Sequence, residues 1–189
     1  MIDFNQCLQV AKSAALLAGK FLLKAQGDDL KILLNKDRDL KLQLDFDTEK
    51  IIKDYISSHS NYSILGEETG LSDKLGDFFW VIDPLDGTSN FLRGIPISCV
   101  SIALMHELEP VLGVIYDFNH KELYFGHKES KAYINDQEIQ VSSLSLKNES
   151  TLVTGIPAKT NYSDDEFNQL ISTFQSWKKI RYQLIKLII

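Results

Sequence analysis

Cysteine is scarce: Cys7 and Cys99 are the two in a chain of 189 residues. They lie far apart in apolar contexts, so a disulfide framework is not expected, and two buried thiols in a reducing compartment are. A basic block is also missing. Lys and Arg number 20 against 26 Asp and Glu, a formal charge of -6, so no nucleic-acid surface is indicated. No apolar run approaches the roughly 20 residues that span a bilayer. The opening Met-Ile-Asp-Phe-Asn has no basic segment ahead of an apolar one, so no signal peptide is expected. A soluble, cytoplasmic protein with no membrane partner follows as the expectation. No Gly-x-Gly-x-x-Gly, Walker loop, Cys-x-x-Cys or Gly-x-Ser-x-Gly occurs, and His59, His106, His120 and His127 do not stand at metal-ligand spacing. With 44% hydrophobic and 24% charged residues, the chain fits one compact domain, or one and a half, with a sizeable core.

What is present concentrates between Trp80 and Asn90. The apolar run 78–82 reads as a buried strand, and Asp83-Pro84 predicts its end, because proline cannot donate to a sheet ladder. Asp83 and Asp86 follow, and then Gly87-Thr88-Ser89-Asn90 offers backbone N–H groups with little side-chain bulk. Such a run suits a phosphate where a short helix begins. Carboxylates beside a phosphate cradle repel the substrate unless a cation lies between them, which points to a hard divalent metal such as Mg²⁺. The competing reading is plain: Asp-Pro and Asp-Gly are also ordinary turn dipeptides.

The rest of the chain reads as alternating helices and strands. Residues 3–25 carry apolar side chains at steps of three and four, an amphipathic helix that Asp3 or Asn5 can cap. Residues 30–34 and 40–44 read as a hairpin around a polar turn that holds Lys36. Residues 45–58 read as a second helix capped by Asp45, with Glu49 on the same face and Asp47 as the neighbouring acid. A strand over 62–65 leads into Gly66-Glu67-Glu68-Thr69-Gly70. The apolar runs 97–105, 111–116 and 122–125 predict an antiparallel meander, with Glu109-Pro110 in the first connection. Another hairpin turns at Asn135-Asp136-Gln137, a strand covers 151–154, and Ser163 can cap a last helix over 164–177.

The string from Trp80 to Phe91, with Gly66-Glu67-Glu68 upstream, resembles the inositol monophosphatase family of Mg²⁺-dependent, lithium-sensitive phosphatases. Asp45-x-x-x-Glu49 resembles that family's first acidic motif, although Leu42 stands where Thr is common. The resemblance implies an α/β (α+β) layered sandwich of the sugar-phosphatase type, shared with fructose-1,6-bisphosphatase, with a mostly antiparallel sheet. It implies hydrolysis of a small phosphate monoester by metal-activated water, with two or more Mg²⁺ in a complete site. Glu67, Asp83, the Leu85 carbonyl and Asp86 are the implied metal ligands. Gly87, Thr88 and Ser89 are implied to bind the phosphate, Asp45, Thr88 and Glu67 to be catalytic, and Glu68 and Lys36 to support them. Arg93 is a further residue near the cradle, more in keeping with an ordinary surface arginine.

The resemblance runs to about Arg181 and stops. Residues 182–189 form an apolar tail where the family has small residues, and no Trp-Asp pair occurs, although the family's later Trp-Asp motif completes a metal site. Residues 1–181 are therefore expected to be the N-terminal portion of the fold, with its C-terminal third absent through frameshift or truncation. Exposed sheet edge and apolar surface would then be a liability for solubility. An inositol monophosphate is the leading substrate, with 3′-phosphoadenosine 5′-phosphate, fructose bisphosphate and histidinol phosphate as alternatives. Other readings are a catalytically impaired remnant or a partner-binding relative, since some members bind transcription machinery. A purely structural domain would need the acidic motifs to be coincidental. Relatives are often homodimers, so a homodimer is expected as well.

Overall fold

Alanine dominates the buried stripe of the first helix, α1 (Phe4–Ala25), and small side chains let a helix lie close to a sheet. Ala11, Ala14, Ala15 and Ala18 are fully buried between Leu8 and Leu22. Asp3 caps the helix, its carboxylate accepting from the Gln6 N–H at 2.9 Å. Gly19 is required by the same close approach, because a Cβ there would lie 2.4 Å from the Tyr116 ring. The structure, a computed structural model, describes residues 2–26, 32–36, 39–154 and 161–182, with side chains for all of these except 32–36, 39–42 and 181–182.

Two compact units divide the chain, residues 1–140 and 141–189. In the first, the short antiparallel hairpin β1 (Ile32–Lys36) and β2 (Asp39–Leu42) runs directly into α2 (Gln43–His59). An eight-stranded sheet follows. Its strands are β3 (Ser63–Gly66), β4 (Gly70–Leu71), β5 (Phe78–Asp86), β6 (Cys99–His106), β7 (Glu109–Asp117), β8 (Glu122–His127), β9 (Ala132–Ile134) and β10 (Gln137–Ile139), in the order β10-β9-β8-β7-β6-β5-β3-β4. Every pairing is antiparallel except β3 with β5, which is parallel. The expected meander is β6-β7-β8. Strand residues alternate between buried and part-exposed, as in a sheet with one covered face. Trp80, Ile82, Val100, Ile102, Leu104, Leu112 and Val114 form the buried side, against α1 and α2. Between β9 and β10 the chain turns on Asn135, at φ 52°, as a two-residue hairpin requires.

The second unit holds β11 (Thr151–Thr154), α4 (Asp164–Gln175) and β12 (Lys179–Tyr182), with β12 pairing parallel to β11 after the helix. Ser163 and Glu166 form a capping box at the start of α4, as the Ser163 reading anticipated. The tail after Tyr182 lies outside the described residues. Among the described residues no helix is long and apolar enough to cross a membrane.

Four expectations are corrected. The strand from Phe78 does not stop at Asp83-Pro84; β5 runs on to Asp86 through a register shift between Asp83 and Asp86. A bulge leaves a residue unpaired, so the missing proline N–H costs no ladder bond. Pro110 lies inside β7, and its partner Met105 sits at another register shift. Asp45 does not cap α2: the helix starts earlier, at Gln43, and Asp45 is a buried residue of its first turn. Cys7 and Cys99, expected to be buried, are only half-buried.

Candidate functional site

The parallel pair β3-β5 carries the residues of the candidate site. Parallel strands end on the same edge, so the turn after β3 and the bulge at the end of β5 become neighbours. Gly66 stands opposite Ile82 in the register, and the Glu67 N–H donates to the Ile82 carbonyl at 3.1 Å. Glu67 is thereby set beside the Ile82–Asp83 segment, with its side chain exposed, while Glu68 is half-buried.

Within the bulge, the Leu85 N–H donates to Asp83 Oδ1 at 3.2 Å, a local turn that an aspartate side chain supports. Leu85 and Asp86 are buried. Gly87 then takes φ 88° and begins α3 (Thr88–Leu92). A Cβ on Gly87 would lie 2.7 Å from the Ile97 carbonyl oxygen, so both its φ and its surroundings demand glycine. The same carbonyl accepts from Asn90 Nδ2 at 2.9 Å, which ties α3 to the chain ahead of β6. Thr88 Oγ1 donates to the Leu85 carbonyl at 3.1 Å. Ser89 is exposed and receives the Arg93 guanidinium on its carbonyl, at 2.9 Å, and on its hydroxyl. Arg93 is thus folded onto its own short helix.

From α2 come Asp45 and Glu49, one turn apart and both buried, whereas Asp47 faces outward and accepts from Gln43 Nε2 at 3.0 Å. The helical face read for Asp45 and Glu49 is therefore shared. Sequence reasoning gave Glu49 no partner, yet it makes the densest polar contacts near the site. Its carboxylate accepts from the Glu68 N–H at 2.7 Å, the Thr69 N–H at 3.1 Å, the Thr69 hydroxyl, and Lys53 Nζ at 3.0 Å. Burial pushes its carboxyl up, but the bonds from Thr69 and Glu68, with Lys53, outweigh that and hold it below the ordinary 4.5. No local sequence signal marks this pairing; in the structure Gly66 leaves room for it, because a Cβ there would lie 2.4 Å from the Glu49 carboxyl. Lys36 closes β1 opposite Asp39, and its side chain lies outside the described residues.

The donors suit a hard divalent cation in kind. Glu67, Asp83 and Asp86 offer carboxylate oxygens, and the Leu85 carbonyl, with two lone pairs, can accept a second partner beside Thr88. Among the described residues no group of three or more His, Cys, Asp or Glu side chains is gathered tightly enough to hold a metal ion. The strand ends supply neighbouring oxygen donors rather than a closed cage.

Two outcomes are expected. In Gly94→Ala, where φ is 67° and nothing lies within 4 Å of the new methyl, unfolding in urea should show a loss of about 1–2 kcal/mol from the left-handed backbone alone. Gly87→Ala should lose clearly more, because its methyl also meets the Ile97 carbonyl; equal losses would contradict the close approach. The second concerns pH. A carboxyl lowered on folding stabilises the folded state above its unfolded value, and that contribution is lost as pH falls through the folded value. Below pH 4.5 the wild-type urea midpoint should therefore fall more steeply than that of Glu49→Gln.

Comparison with known proteins bears on the chain and its fold as a whole. The sequence profile of the Inositol monophosphatase family matches residues 3–184. A fructose-1,6-bisphosphatase/inositol-1-monophosphatase of Aquifex aeolicus is 32% identical over 163 residues, 85% of this chain and 62% of the relative. A Nus factor SuhB of Pasteurella multocida is 36% identical over 159 residues, 82% of this chain and 60% of the relative. The solved inositol monophosphatase of Anabaena (Nostoc) superposes with a TM-score of 0.80 at 31% identity, covering 96% of this chain and 68% of the other. The chain spans about three fifths of the length of the Aquifex and Pasteurella relatives, 62% and 60%. Its fold, with a mostly antiparallel sheet and helices, is of the inositol monophosphatase and fructose-1,6-bisphosphatase type. From the profile match and the shared fold together, the chain belongs to the inositol monophosphatase family.

Proposed function

We propose that this chain carries the N-terminal part of a Mg²⁺-dependent phosphatase site acting on a small phosphate monoester of the inositol monophosphate kind. The observation that supports it most is the β3-β5 junction, which sets Glu67 beside Asp83 one turn ahead of Gly87 and Thr88. Glu67, Asp83, Asp86 and the Leu85 carbonyl would hold the cation. When bound, Mg²⁺ supplies Lewis-acid polarisation of phosphoryl oxygens and makes water a stronger nucleophile. The protein's own part is orientation and charge placement. Thr88 gives its hydroxyl proton to the Leu85 carbonyl, so its oxygen keeps its lone pairs as acceptors and can orient the proton of an attacking water. The N–H groups of Gly87, Thr88 and Ser89 are the donors assigned to the phosphate oxygens. Asp45, buried in the first turn of α2, is assigned to align the water. No covalent enzyme intermediate is needed, because positioning and charge stabilisation account for most of phosphoryl-transfer catalysis.

The names of the Aquifex relative and the Anabaena structure favour inositol monophosphate, with fructose 1,6-bisphosphate second. The cytoplasmic setting and the homodimer belong to the same proposal. A partner-binding role without turnover is the second reading, favoured by the Pasteurella relative, which is named a Nus factor. The two separate in one assay of phosphate release from inositol 1-phosphate, with and without Mg²⁺. The expected result is Mg²⁺-dependent release that Asp83→Asn lowers by more than ~100-fold, the upper range for losing a residue that only supports a ligand. Release that survives Asp83→Asn would overturn the assignment, and a folded wild type without release would favour the partner-binding reading.

A further inference from the structure

Two successive backbone N–H groups aimed at one point make an anion nest, of the sort that takes a phosphate or carboxylate ligand. The turn after β3 makes such a nest with the N–H groups of Glu68 and Thr69, and it is already filled from inside the protein by Glu49. We propose that Glu49 is a positioning residue of the site: through this nest it fixes the Gly66–Gly70 turn and, with it, the direction of Glu67. The inference deepens the cation-site reading above and rests on it.

The geometry supports it at both ends of the turn. On one side, the Glu67 N–H is held by the Ile82 carbonyl of β5. On the other, the next two N–H groups are held by a carboxylate fixed to α2. Glu67 lies between the two anchors. Its side chain is exposed, so the backbone on either side sets the direction in which it leaves the chain. Gly66 completes the fit, because any side chain there would occupy the space of the Glu49 carboxyl.

Charge is handled locally as well. An uncompensated carboxylate buried beside the Glu67 turn would add negative charge near the cation donors. Lys53 answers it: its ammonium meets Glu49 at 3.0 Å, the Thr69 hydroxyl, and the Gly70 carbonyl at 3.3 Å. The pair is neutral as a unit, and three successive residues, Glu68, Thr69 and Gly70, are tied to it. Glu49 thus shapes the site without donating to it, which separates it from the Asp45 role one turn earlier.

The test uses the full chain and two readouts. Amide hydrogen exchange without added metal reads the clamp, and Mn²⁺ titration by electron paramagnetic resonance reads the cation site. In Glu49→Gln, exchange at Glu68 and Thr69 should quicken at least ~10-fold, and Mn²⁺ affinity should fall ~10–100-fold, the range for residues that orient ligands. A merely destabilised protein is the control: Ile56→Ala, which cuts a fully buried side chain near the far end of the same helix, should leave Mn²⁺ affinity near wild type. Should Glu49→Gln fail to fold, Thr69→Val removes the hydroxyl's bonds to Glu49 and from Lys53 with little change of shape, keeps both N–H bonds of the nest, and should give the same two effects in smaller measure. Unchanged exchange at Glu68 and Thr69 would refute the clamp. Faster exchange with unchanged Mn²⁺ affinity would refute its action on Glu67. A wild type that takes up no Mn²⁺ would instead refute the cation-site reading, and the positioning role with it, while the exchange result would still stand on its own.

Discussion

Two acidic turns share one edge of a sheet only if the strands that deliver them point the same way. That constraint is met here by the single parallel pairing in the eight-stranded sheet, β3 against β5. Had β3 been antiparallel to β5, Glu67 would have emerged at the Phe78 end, five residues from Asp83 along β5, or about 17 Å at roughly 3.3 Å each. Parallel pairing needs a return path, and residues 67–77, including the short β4, provide it. The buried α2 face then closes the junction from one side, because Glu49 reaches the turn that β3 has just delivered.

The second constraint is local and works against the first. A nine-residue strand containing proline ought to lose a ladder bond, yet β5 keeps its pairing with β6 on both sides of Pro84. The bulge between Asp83 and Asp86 absorbs the proline and rotates the chain, so that Asp83 stays half-exposed while Leu85 and Asp86 turn inward. Leu85 packs into the core and its carbonyl is met by Thr88. One irregularity therefore spaces the carboxylates, brings the Leu85 carbonyl to Thr88, and leads the chain into the Gly87 turn. A regular strand would have alternated the same residues between the two faces.

Much of this was legible in the sequence where the determining contacts are short in range. The three- and four-residue spacing of α1 and the capping signals at Asp3 and Ser163 rest on neighbours within a turn, and the structure has them. The acidic motifs were legible as strings, and they carried the family. What was misread involved residues whose usual local role is overridden by burial. Asp45 looks like a helix cap, but Gln43 and Leu44 already belong to α2, and the helix buries Asp45 on its inner face. Pro84 and Pro110 look like strand ends, but register shifts accommodate both. What was missed altogether depends on distance along the chain. The nest of Glu68 and Thr69 lies 19 and 20 residues from Glu49, and nothing local in either segment signals the other. The direction of β3 relative to β5 has the same character, because periodicity gives a strand but not its partner.

The most direct measurement is a crystal of the chain grown or soaked with Mn²⁺, with anomalous diffraction locating the ion. A cation held by this junction would give a peak bounded by Glu67, Asp83 and the Leu85 carbonyl, each within direct coordination distance of the ion. A peak elsewhere, or none at this junction in a well-ordered crystal, would contradict the claim that the parallel β3-β5 pairing exists to build a metal site.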